Sequence, residues 1–186
     1  QTGAQLYPQV SSRPIGLASG LSGYHAFQRR PTYMKLAHLS LADRAREMAK
    51  PEIKAAIMSE TDVLVDQPGS MANMYQLFQT AAMFMYPLAD PVDYEPDPSE
   101  MLGSRAAATG QDVLDLLYDY MLEQNGAAMC ALMGGPNVHD SQEVLRKMLI
   151  HSETVTGLSD AGAHVTLICD ATMPTTQLTF WARDRH

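Results

Sequence analysis

Apolar residues recur along this chain in two rhythms, one close to every second position and one close to every third or fourth, and their alternation predicts strands separated by helices. Leu6, Tyr7 and Val10 stand among polar and small neighbours in partial alternation, which predicts a strand up to Pro8. Pro8 and Pro14 discourage a central strand beyond that point, so Ser11-Ser12-Arg13-Pro14 reads as a polar strand-end loop. Ser40 is placed to cap a helix running to about Ala49, and Pro51 suits the first turn of another over 52–60. Thr109-Gly110-Gln111-Asp112 resembles a capping box with Asp in place of Glu. The helix it opens carries Val113, Leu116, Leu117, Tyr120 and Met121 on one face, and Asn125-Gly126 closes it. Residues 127–133 form an apolar run of strand length, ended by Gly134-Gly135-Pro136. Asp140 or Ser141 caps the next helix, with Val144, Leu145, Met148 and Leu149 on its buried side. A β-leaning run over 154–158 follows, then a second apolar run over 165–169 that ends in Asp170, then a helix beginning near Thr175 or Thr176.

Two stretches lack a steady period. Residues 16–33 are glycine-bearing with scattered aromatics, as expected of a long loop that covers a site, and His25 within it reads as a solvated histidine. In 61–98, residues 62–65 could form a short strand, and Met71, Met74, Met83 and Met85 suit core or helix packing more than an acyl pocket. Residues 90–98 are acidic and proline-spaced without the ordered spacing of a calcium loop, so they read as solvated. Strands separated by helical stretches imply parallel pairing and an α/β fold. A closed eight-fold barrel takes about 250 residues, so the expectation is a partial (β/α)8 barrel. A start on a strand-like segment and a stop inside a helix fit a piece of a longer chain.

Composition narrows the function. The chain is 46% hydrophobic and 18% charged, enough for a sizeable core, and its formal net charge is −8. No basic patch interleaves with aromatics, so nucleic acid is not an expected partner. No apolar run approaches the ~18 residues that span a bilayer, so no membrane is expected either. Cys130 and Cys169 are far apart and read as buried thiols in a reducing compartment, which makes the cytoplasm the expected location.

For chemistry, Gly134-Gly135 lacks the phosphate-loop spacing, and no G-x-S-x-G elbow, His-x-His or His-x-x-x-His occurs. The best polar constellation is Asp160 with His164, in Gly157-Leu158-Ser159-Asp160-Ala161-Gly162-Ala163-His164. An acid at a strand tip on a glycine-bearing loop is where α/β barrels keep catalytic groups, although Asp also takes such places simply to bond its own backbone in a turn. A strand-end Asp in a metal hydrolase can ligate the metal and take the proton from bound water. Arg13 is a candidate for holding a substrate carboxylate, since guanidinium matches carboxylate geometry, and equally a candidate for a structural ion pair.

The block from Gly157 to His164, followed by Asp170 and by Gln177-Leu178-Thr179-Phe180-Trp181-Ala182-Arg183-Asp184-Arg185, resembles the last barrel strand of metal-dependent amidohydrolases. The similarity is to the D-aminoacylase, or N-acyl-D-amino-acid deacylase, branch. Gln9-Val10-Ser11-Ser12-Arg13-Pro14, Asp93-Tyr94-Glu95-Pro96, the helix start over 107–115 and Met148-Leu149-Ile150-His151 follow in the expected order. The resemblance implies a (β/α)8 barrel flanked by a small β domain, with residues 1–186 as the C-terminal part of the barrel in a longer chain. It implies zinc-dependent hydrolysis of the amide of an N-acyl amino acid, with one or two Zn²⁺ ions. Asp160 takes the position of the metal-ligating general base and acid, and most other ligands are expected outside this chain. Ser12 or Arg13 would bind a substrate carboxylate, and His164 would contact substrate or brace the Asp160 loop. Two alternatives stand beside this one. The substrate could be a cyclic amide or ureide, or the half barrel could be a non-catalytic binding or assembly module. Expected partners are then a second copy of the chain or the missing half of the barrel.

Overall fold

The structure, a computed structural model, describes residues 3, 5–67, 69–134, 142–159, 166–168 and 170–185. Its elements run β1 (Gln9–Val10), β2 (Ile15–Gly20), α1 (Pro31–Leu36), α2 (Leu41–Met48), α3 (Pro51–Ser59), α4 (Met74–Ala81), β3 (Met85–Pro87), α5 (Leu102–Thr109) and α6 (Val113–Gly126). Then come β4 (Met129–Gly134), α7 (Glu143–Leu149), β5 (Val155–Thr156) and α8 (Met173–Thr176), which runs directly into a π-helical segment, Gln177–Asp184. The chain divides into two compact units, Gln1–Leu17 with Met133–His186, and Ala18–Leu132.

In the first unit β1 and β5 pair in parallel, with Gln9 opposite Val155 and Val10 opposite Thr156. Leu17 adds an isolated antiparallel bridge to Ile168. A three-stranded sheet runs in the order β2-β4-β3. The expectation of parallel pairing holds for β1 and β5 and fails for β3, which lies antiparallel to β4 with Tyr86 opposite Ala131. No barrel closure is seen among the described residues.

The second unit is mainly helical. Met48, Ile57, Phe78, Leu102, Leu117 and Met121 are fully buried, each contributing about 1.5–3 kcal/mol of apolar burial. α2 packs on α6, and the Tyr118 hydroxyl donates to the Met48 carbonyl at 2.9 Å while its ring meets Phe27 edge-on at 5.2 Å. Ser40 caps α2 as expected, accepting from the Asp43 N–H at 3.2 Å. The cap of α6 is Asp112 rather than Thr109: the Asp112 carboxylate accepts from the Leu114 and Asp115 N–H groups. Thr109 instead ends α5, where Gly110 turns left-handed. At the far end of α6, Gln124 and Asn125 adopt left-handed backbone with φ of 53° and 57°. Gly126 follows at φ 86°, where a Cβ would sit 3.0 Å from that of Ala45, so this position admits glycine for two separate reasons.

The stretch over 16–33, expected to be a covering loop, instead opens with β2 and ends in α1. His25, expected to be solvated, is fully buried. Its Nδ1 accepts from the Phe27 N–H at 3.2 Å, which puts the ring proton of the neutral form on Nε2. Its edge meets the Tyr33 ring at 4.4 Å. Arg44 closes this corner by donating to the Tyr33 hydroxyl and to the carbonyls of Leu21, Ala37 and Leu39. Burial, with the Arg44 charge as a second cause, lowers the His25 pKa to about 3.

The sign of the resulting pH dependence follows. The unfolded imidazole takes a proton near pH 6.5 and the folded one only near 3. The contribution of His25 is therefore fully present above pH 6.5 and is lost as the pH falls toward 3. The limiting slope is about 1.4 kcal/mol per pH unit. Urea midpoints of the wild type should already fall between pH 7 and about pH 5.5, above the range where ordinary carboxylates protonate. His25→Gln should flatten that decline, whereas parallel curves for the two proteins would remove His25 as its source.

Candidate active site

Parallel pairing makes the ends of β1 and β5 coincide. The Val155 N–H donates to the Pro8 carbonyl at 3.1 Å and the Gly157 N–H to Val10 at 3.0 Å. The chain therefore leaves both strands on the same side, toward Ser11-Ser12-Arg13 from β1 and toward Gly157-Leu158-Ser159 from β5. A cleft of about 250 Å³ opens there, lined by Ser12, Thr156, Gly157, Leu158, Met173, Pro174 and Gln177. Clefts at the carboxyl ends of parallel strands are the usual ligand position in α/β folds. Leu158 holds a left-handed backbone at φ 68° with its side chain 45% exposed. A branched, non-glycine residue in that conformation marks a strained turn, and such strain concentrates at functional sites. Asp160 and His164 follow in the sequence and lie outside the described residues, as does Cys169.

Ser12 and Arg13 are both buried. The Ser12 hydroxyl donates to the Met173 carbonyl at 2.5 Å, so it offers the cleft a lone pair rather than a proton. A carboxylate also only accepts, so Ser12 in this state suits an N–H or O–H of a ligand better than a carboxylate. The Arg13 guanidinium, expected to face a substrate carboxylate, meets one from its own chain. It donates to Asp170 Oδ1 at 2.7 Å, to the Thr172 hydroxyl at 2.9 Å and to the Pro14 carbonyl at 3.0 Å. The Gly16 N–H donates to the same Asp170 oxygen at 3.0 Å. Trp181 Nε1–H donates to the Ser12 carbonyl. The strand-end loop is thus tied to the C-terminal helical segment by a buried ion pair and by flanking hydrogen bonds from Ser12, Arg13 and Trp181.

Asp170, Thr172 and Trp181 form this brace, and the sequence signal for it was the single acid ending the 165–169 run. Among the described residues no three His, Cys, Asp or Glu side chains converge as a metal site requires. The described residues alone therefore do not make a zinc site. Cys130 is buried, and burial pushes its thiol up to about 12, so it is a thiol at neutral pH and not a nucleophile or ligand. No protein-family model matches the chain, and no curated protein or solved structure matches it either.

Removing one partner of a buried ion pair leaves the other charge uncompensated, which costs about 3–5 kcal/mol. Arg13→Met and Asp170→Leu should each lose about that much in denaturant unfolding. The double variant should be less destabilised than the sum of the two by at least about 1 kcal/mol. Single variants within about 0.5 kcal/mol of wild type would show that the pair does not brace the loop.

Proposed function

We propose that this chain carries the last-strand portion of a zinc-dependent amidohydrolase that removes the acyl group from an N-acyl-D-amino acid. One observation carries the reading: a parallel strand pair opens a cleft at its carboxyl ends, and the strained Leu158 on its rim stands two residues before Asp160. This is the strand-end setting in which the Ser-Asp-Ala-Gly-Ala-His block was expected to act. Zinc, when bound, supplies Lewis acidity and lowers the pKa of its water. Asp160 would be one of its ligands, and most of the others would come from outside these 186 residues. The Asp160 carboxylate accepts the proton of the attacking water and returns it to the departing amine. His164 braces the Asp160 loop. Ser12 lends its oxygen to the amide N–H, and Arg13 acts as a positioning residue that holds the Ser12 loop through Asp170.

A second reading has its own support. Val144, Ile150, Val155, Leu158 and Leu178 of the first unit are exposed, with Ile150 at 67% and Leu178 at 70%. Exposed apolar side chains on this small unit are compatible with an assembly surface, with a second copy or the other half of a barrel as the occupant.

The polypeptide bearing this chain, purified from its source, should contain zinc and release free amino acid from N-acetyl-D-leucine or N-acetyl-D-methionine. Asp160→Asn should lower kcat by about a hundred-fold or more while the circular dichroism spectrum stays unchanged. Undiminished turnover in Asp160→Asn would overturn the assignment of the proton carrier. A metal-free protein without hydrolysis of acyl-D-amino acids or cyclic ureides would leave the assembly reading.

A further inference from the structure

We infer that Gln177 sets the length of the acyl chain the site accepts: it stands where the strand-end cleft meets a second cleft, and the two together take a medium-chain N-acyl amino acid. The identity of the ligand's polar end rests on the amidohydrolase reading, whereas the seat for its chain rests on the clefts themselves. The second cleft encloses about 240 Å³ beside the end of α7, with Leu149 and Ile150 on one side and Trp181 and Ala182 on the other. Gln177 lines both clefts. Met173, Gln177 and Trp181 are spaced by four, so an ordinary helical turn sets them along one face. That face leads from the first cleft, which Met173 lines, to the second, which Trp181 lines. A further tie holds the two side by side: the Trp181 Nε1–H donates to the carbonyl of Ser12, a residue of the first cleft.

Size and chemistry both favour one joined site. At about 250 and 240 Å³, each cleft alone falls below the roughly 300–1,000 Å³ of small-molecule sites, and the two joined fall within it. Polarity is graded along the path. Ser12 and Thr156 bring hydroxyls to the first cleft, which suits an amide, while Leu149, Ile150, Ala182 and the Trp181 indole bring apolar surface to the second, which suits hydrocarbon. The second cleft is not read as a seat for charge: Glu143 already holds Arg146 in a two-point pair at 2.7 and 2.8 Å, and Arg185 stacks over Phe180 at 4.3 Å from the ring centre. What such a wall rewards is length, since each methylene taken out of water adds about four-fold in affinity. Gln177 is suited to the passage between them. It is half-buried, and its side-chain amide makes no hydrogen bond among the described residues, so it can turn aside for a chain without breaking one. An acetyl group ends before this point, whereas an octanoyl group passes it.

The test compares N-octanoyl-D-leucine with N-acetyl-D-leucine on the polypeptide bearing this chain. The octanoyl compound should show a KM lower by about ten-fold or more. Ala182→Phe, which fills the second cleft at an exposed position, should cut the octanoyl-to-acetyl ratio of kcat/KM by about ten-fold, and thermal unfolding checks that its fold is intact. Gln177→Ala, which widens the passage, should raise that ratio. Titration calorimetry on the chelator-treated polypeptide reads the same preference as binding, without turnover. Octanoyl binding no tighter than acetyl binding, or a preference that Ala182→Phe leaves in place, overturns the joined site whether or not the amide is cleaved. A ratio that Gln177→Ala lowers or leaves unchanged overturns the part given to Gln177. Tighter octanoyl binding that Ala182→Phe abolishes, with neither compound cleaved by the metal-loaded protein, upholds the chain seat and overturns the hydrolase reading instead.

Discussion

A charge buried without a partner is among the most destabilising things a protein can contain, and the first unit is built around one that has its partner. Arg13 is wholly shielded from solvent, and the Asp170 carboxylate neutralises it at 2.7 Å from 157 positions away in the chain. The geometry of everything near the cleft follows. Gly16 shares the same carboxylate oxygen, Thr172 takes a second guanidinium nitrogen, and the Ser12 hydroxyl closes on Met173 just beyond. Local propensity would leave Ser11-Ser12-Arg13-Pro14 as an exposed polar loop. The ion pair instead makes it an internal strut between a strand end and a helix start. The pair's chief contribution is positional, because a buried pair gains little over apolar packing but strongly penalises every arrangement that separates it.

How much of this was legible in the sequence depended on whether the deciding signal was local. Ser40 with α2, Pro51 with α3, and the apolar run of β4 could be read because caps, proline and periodicity act within a few residues. β2 could not be read. Ile15-Gly16-Leu17-Ala18-Ser19-Gly20 is poor in β-branched residues, and its strand state is imposed by the neighbouring strand. Close approach explains its small residues, since a Cβ on Gly20 would lie 2.9 Å from the Ala128 carbonyl oxygen. α7 shows the opposite error. Its 3.6-residue stripe was right, but only Leu145 is buried, while Val144 and Met148 are exposed. Periodicity says that a face is apolar and not what covers it.

The same division applies to the candidate site. The strand-end position of Gly157 and Leu158 followed from pattern, and the parallel partner and the cleft at its end agree with it. The burial of Arg13 did not follow, because nothing near position 13 announces an acid at position 170. His25 fails in the same way. A lone histidine in a glycine-bearing stretch looks solvated until Tyr33, Phe27 and Arg44 are folded around it.

The boundaries between the two units fall inside β2 and β4, which are neighbours in one sheet. Ile15 lies near Gly134, and Gly20 lies against Ala128. Ala18 and Leu132, the two ends of the helical unit, therefore belong to adjacent strands, where backbones run about 4.8 Å apart. In topological terms the helical unit is a nested insertion with its ends side by side. Such a module can be acquired, exchanged or deleted in a single genetic event, because rejoining the host strands needs only a tight connection between them.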